Sequence, residues 1–162
     1  MIANVYIETT VISYLTAQTS RDIVVAAHQQ ITRDWWENCR KKFSLYGSQL
    51  VLQEAGAGDT DAVKARLNVL ADLKLLEITD EAISLAERLV KEGAIPPKAA
   101  ADALHIAVSV VNGMEYLVTW NCKHLANAFM RVKIDAVCRM AAYEPVVICT
   151  PEELMEAEND LD

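Results

Sequence analysis

The 162 residues, 52% hydrophobic and with only five glycines and four prolines, suit one sizeable core and exclude a low-complexity or linker-dominated chain. A net charge of −8 excludes a protein that grips duplex nucleic acid through a broad basic face, which needs many lysines and arginines on the phosphates. It leaves room for a metal site, where a bound cation reverses the field of clustered carboxylates.

The chain opens on Asn4-Val5-Tyr6-Ile7-Glu8, a β-branched and aromatic run that reads as a strand. Thr9 and Thr10 make a polar turn into a helical Val11-Ile12-Ser13-Tyr14-Leu15. From residue 22 to about 43, Ile23, Ala26, Ala27, Ile31, Trp35 and Phe43 recur at helical spacing between charges, predicting a long amphipathic helix. A second strand is expected over 44–49 and a short helix over 50–55, which carries Glu54.

After Gly56 and Gly58, Asp59 or Thr60 caps a helix running through Val63, Leu67, Leu70 and Leu73. A third strand is expected at Leu75-Leu76-Glu77-Ile78, then a helix over 81–92 capped by Thr79 or Asp80 and stopped by Gly93. Pro96-Pro97 introduces the next helix, 99–111, which is apolar nearly all round with Asp102 as its only carboxylate. A fourth strand over 115–119 leads into Trp120-Asn121-Cys122-Lys123-His124, and a helix over 127–142 and a last strand at Val146-Val147-Ile148 complete the order. Strands alternating with helices, without hairpin signals, predict a mainly parallel sheet covered on both faces. Residues 1–150 are expected to form one domain and 151–162 an acidic tail carrying Glu152, Glu153, Glu156, Glu158, Asp160 and Asp162.

No apolar run approaches the roughly 18 residues needed to cross a bilayer, and the first strand follows no basic leader, so a cytoplasmic chain with no membrane partner is expected. Cys39, Cys122, Cys138 and Cys149 are widely spaced, as reduced thiols are; zinc on Cys122 and His124 would lack the usual four clustered ligands.

In parallel sheets, sites form beyond the carboxyl ends of the strands, where Glu8 and Asn121 stand. A buried carboxylate needs a partner or a cation, so Glu8 and Asp102 sharing a hard divalent ion is the economical arrangement, against the simpler reading of each as a cap or a hydrogen-bonded acid. His105 reads as a packed core residue, and Lys123 and His124 as surface groups or phosphate contacts. Trp35-Trp36 with Arg33, Arg40, Lys41 and Lys42 could stack single-stranded RNA, but one tryptophan in the core suits the amphipathic helix better.

The run Val5-Tyr6-Ile7-Glu8-Thr9-Thr10-Val11-Ile12-Ser13-Tyr14-Leu15 resembles the opening of PIN domains. So do Ala101-Asp102-Ala103-Leu104-His105-Ile106-Ala107 and Leu117-Val118-Thr119-Trp120-Asn121-Cys122-Lys123-His124-Leu125, in order and spacing. The resemblance implies a three-layer α/β/α sandwich and an endoribonuclease whose metal, Mg²⁺ or Mn²⁺, is held by Glu8, Glu54 and Asp102. It places Thr9, Thr119 and Asn121 in the same pocket, with Lys123 just beyond, and implies a VapC-like toxin with RNA as substrate, an antitoxin partner and a homodimer. Glu8 stands where the family usually has Asp, and Asn121 where many members add a fourth acid. A rival reading is therefore a PIN-like module that binds RNA or protein without productive metal chemistry. A flavodoxin-like ligand domain fits less well, since no Gly-rich loop follows the first strand.

Overall fold

The computed structural model describes residues 2–155. Strands β1 (Ala3–Ile7), β2 (Phe43–Ser48), β3 (Lys74–Leu76), β4 (Tyr116–Val118) and β5 (Val147–Cys149) form one sheet in the order β3-β2-β1-β4-β5, and every neighbouring pair is parallel. Among the described residues seven α-helices connect and flank the strands, giving the expected α/β/α sandwich: α1 (Thr9–Thr16), α2 (Ile23–Asn38), α3 (Gln49–Ala55), α4 (Thr60–Leu70), α5 (Asp80–Lys91), α6 (Ala100–Val111) and α7 (Ala128–Met140). Helices α1 to α4 pack among themselves, and α5 packs on α6 and α7.

Central β1 is buried at Val5, Tyr6 and Ile7, as a strand covered on both faces must be. Helix α6 is buried from Ala103 to Val110 except at Leu104. The caps act where the sequence placed them: Asp59 and Thr79 accept from the amides of Ala62 and Ala82, and Gly93, at φ +78°, follows the end of α5 in the left-handed region that glycine enters freely.

Three expected elements move, the first being α4, which ends at Leu70 and leaves Leu73 beyond it. The long helix ends at Asn38, not near residue 43; a 3-10 turn at Arg40–Lys42 follows, and Phe43 opens β2 opposite Ala3. Phe43 continues the helical spacing of Trp35 and stacks on it at 6.0 Å, so periodicity alone could not separate them. Strand β3 ends at Leu76, paired with Ser48, where its neighbour β2 also ends, and the Ile78 amide beyond donates to Gln49 Oε1 at 2.9 Å.

Trp35 is fully buried, whereas Trp36 carries the Arg40 guanidinium over its ring at 4.9 Å, so the pair splits between core and surface. All four cysteines are free, and three of them are buried. No helix among the described residues is long and apolar enough to cross a membrane. Glu156, Glu158, Asp160 and Asp162 of the expected tail lie outside the described residues. Glu152 and Glu153 form a 3-10 turn, Glu152–Leu154, in which Glu153 accepts from the Thr150 amide at 3.1 Å.

Candidate active site

From β1 the chain moves outward through β2 to β3, while β4 and β5 lie on the other side. The order therefore reverses between β1 and β4, and the crevice beyond their carboxyl ends is where such sheets bind ligands. Glu8 follows β1 and Thr119 follows β4, so both stand at that point.

Glu8 still belongs to the ladder through its amide, which donates to the Val118 carbonyl at 3.0 Å. Its side chain folds back as the N-cap of α1, Oε2 accepting from the Thr10 amide at 3.0 Å, while Oε1 accepts from the hydroxyls of Thr10 and Thr119 at 2.5 Å each. Those hydroxyls accept in turn from the amides of Trp120 and Asn121, both at 2.9 Å. A carboxylate only 4% exposed is thus held by oriented dipoles and a helix N-terminus.

Trp120 fixes the β4 end of the crevice. Its ring stacks on His28 at 4.1 Å and on Tyr14 at 6.2 Å, and its Nε1 donates to Thr32 at 2.7 Å.

Glu54 arrives from α3, whose N-cap Ser48 accepts from the Val51 amide. Its Oε1 accepts from the Thr9 hydroxyl and meets His105 Nε2, each at 2.6 Å. His105 Nδ1 lies 2.7 Å from the Tyr6 hydroxyl, which lies 2.8 Å from Ser48 Oγ. Burial is the largest influence on the Tyr6 phenol and pushes it far above its ordinary range; Ser48 opposes this, and the charges of Glu8 and Glu54 add to it. Tyr6 therefore keeps its proton and can give it to Nδ1, which leaves the Nε2 proton facing Glu54. The direction Ser48 to Tyr6 to His105 to Glu54 satisfies every member.

Burial also acts to raise the Glu54 carboxyl, but the hydrogen bonds from His105 and from the Thr9 hydroxyl outweigh it, and the group is held below its ordinary value of 4.5. A depressed carboxyl contributes stability above its unfolded pKa, lost as pH falls through the folded value. The stability gap between wild type and Glu54→Gln, measured by urea unfolding, should accordingly be constant at neutral pH and close below about pH 4.5.

Ligand atoms of Glu8, Glu54 and His105 lie within 4.8 Å of one another, the one such group of potential metal ligands among the described residues. Its two carboxylates suit Mg²⁺ or Mn²⁺, and the side chain of Glu54 is 36% exposed, open enough for water and substrate. His105 fits differently: two ligands at right angles on an ion with ~2.1 Å bonds sit about 3.0 Å apart, farther than its 2.6 Å from Glu54. It supports Glu54 as a donor. The histidine is packed in the core, 1% exposed, as expected, and its partner Glu54 is what the sequence did not reveal.

Asp102 lies three residues before His105 on the same face of α6 and accepts from His124 Nδ1 at 3.2 Å; it is not part of the 4.8 Å group. Asn121 Oδ1 accepts the amides of Lys123 and His124 at 3.2 and 3.1 Å, closing the turn after β4. Thr9 and Thr119 each touch one of the two glutamates. Lys123 is exposed and lines a groove that it shares with His124. Cys122 and His124 form no metal cluster with other described residues.

No protein-family model matches the chain, and no curated protein is similar to it in sequence. Solved structures share its architecture. VapBC2 from Rickettsia felis, crystallised with a DNA fragment from its promoter, aligns over 90% of this chain and 96% of its own, with TM-score 0.57 and 15% identity. VapC20 from Mycobacterium tuberculosis, a toxin that cleaves the sarcin-ricin loop, aligns over 74% and 92%, with TM-score 0.58 and 16% identity. The chain has the PIN-domain fold of these VapC structures.

Proposed function

We propose that the chain is a metal-dependent endoribonuclease and the toxin of a toxin–antitoxin pair. The observation that carries this reading is the convergence of Glu8 and Glu54 at the switch point between β1 and β4. On this reading Glu8 and Glu54 hold Mg²⁺ or Mn²⁺, and Asp102 completes the anionic set from the first turn of α6. The ion, when bound, lowers the pKa of a water and neutralises charge on the phosphate.

The protein's own groups supply orientation. Thr10 and Thr119 fix Glu8, Thr9 and His105 fix Glu54, and His124 holds Asp102. Asn121 contributes by shaping the turn that presents Thr119. Likeness of fold to a VapBC complex and to an RNA-cleaving VapC supports the toxin reading. The antitoxin and a second copy of the chain belong to the same proposal. The exposed apolar Ile23 and Val24 at the start of α2, and Val132 and Met140 on α7, offer them surfaces.

The test is incubation of the full chain with mixed RNA, with and without Mg²⁺ or Mn²⁺, beside Asp102→Asn. Cleavage that needs the metal and falls at least about a hundredfold in the variant is expected. No cleavage with either ion, together with no thermal shift on adding Mn²⁺, would leave the fold as a binding module.

A further inference from the structure

Beside the candidate site runs a groove of about 550 Å³ between the segment after α5 and the start of α7, lined in part by Pro96, Lys98, Lys123, His124, Phe129 and Lys133. Three lysines and a histidine face it and no carboxylate does, although the chain carries 23 acidic residues and a net charge of −8. Among the described residues, none of the three lysines has an ion-pair partner. The Phe129 ring at its rim is 84% exposed. The groove joins the candidate site through His124, which lines it and bonds Asp102 at 3.2 Å.

We infer that this groove binds the single-stranded RNA that flanks the scissile phosphate, with Lys98, Lys123 and Lys133 on the phosphates and Phe129 under a base. The inference rests on the nuclease reading for its ligand. Unpaired ammonium groups in an acid-free groove complement a polyanion, in a chain whose net charge is −8. An open aromatic face accepts a base that is not already stacked in a duplex, which favours a single strand. Continuity with Asp102 makes the strand's path end where cleavage is proposed. An acidic protein segment would meet the same lysines, and the experiment separates the two.

The measurement is fluorescence anisotropy of a labelled single-stranded RNA of about 12 nucleotides. The full chain is titrated in EDTA, so that no metal-dependent step intervenes, over a range of salt. The groove variant carries Lys98→Ala, Lys123→Ala and Lys133→Ala; a control variant carries Lys64→Ala, Lys74→Ala and Arg88→Ala. Each phosphate contact on a single strand contributes about 0.7 to the slope of log Kd against log salt, so the groove variant should lose about 2 from that slope. The control should keep the wild-type slope. Phe129→Ala should weaken binding about fivefold or more at unchanged slope.

Equal binding by the two triple variants, or a wild-type slope in the groove variant, overturns the inference. Polyglutamate that binds more tightly than RNA and displaces it overturns it in favour of an acidic protein partner. The nuclease reading fails separately: RNA binding that follows the predicted slopes, without cleavage in Mg²⁺ or Mn²⁺, removes the reaction and keeps the groove. Metal-dependent cleavage with KM unchanged in the groove variant does the reverse.

Discussion

Replacing Glu54 by Gln is expected to lower metal-dependent RNA cleavage by at least about a thousandfold while leaving the fold intact, a loss of roughly 4 kcal/mol of transition-state stabilisation. The substitution is close to isosteric. Gln Oε1 still accepts from Thr9 and His105, which fixes the amide's orientation, and no described residue is bonded to the other carboxylate oxygen. What disappears is one negative charge of the set proposed to hold a divalent ion. Single-turnover cleavage and Mn²⁺ titration would read the two consequences, and both should move together. Undiminished cleavage would remove Glu54 from the reaction.

His105→Ala should destabilise the protein by about 3–5 kcal/mol and lower Tm by roughly 10 °C. Two penalties add. A fully buried ring leaves a cavity, and the Tyr6 hydroxyl and Glu54 Oε1 both lose a partner. The change should also weaken Mn²⁺ binding, because Glu54 would be held by Thr9 alone. His105→Gln separates support from ligation: its amide can still donate toward Glu54, so metal affinity should recover in part. Pulsed electron paramagnetic resonance on bound Mn²⁺ should detect no directly coordinated nitrogen. A strong nitrogen coupling that vanishes in His105→Gln would make the histidine a ligand and contradict its assignment as a donor to Glu54.

The alternation of strands and helices was readable because nearly every segment carried one clear period and a cap or breaker at its ends. Asp59, Thr79 and Gly93 were found where local chemistry demanded them. Phe43 was misplaced because a residue eight positions after Trp35 suits a helix face and a strand start equally well. Within the site, Glu8 and Asn121 were locatable at strand ends, whereas Thr119, read as the last residue of the fourth strand, follows β4.

The interior polar chain was harder, since it depends on which side chains of β1, α3 and α6 meet. One signal was available. Tyr6 and Glu8 are two apart on a strand and point to the same face, so a tyrosine expected to be buried there had to find a partner for its hydroxyl. His105, on the α6 face shared with Asp102, is that partner. Asn121 followed by a turn was equally a capping signal, and its carbonyl oxygen is engaged by two backbone amides. The residues that look most like ligands in the sequence are thus of three kinds: two converging glutamates, an aspartate held by His124, and an asparagine that builds the turn.

On the proposed reading a divalent ion sits between Glu8 and Glu54. Anomalous diffraction from crystals of the full chain soaked in MnCl₂ tests it most directly. A peak about 2.1–2.3 Å from an oxygen of each glutamate is the predicted result. A peak elsewhere, or none at a Mn²⁺ concentration that supports RNA cleavage, would contradict it.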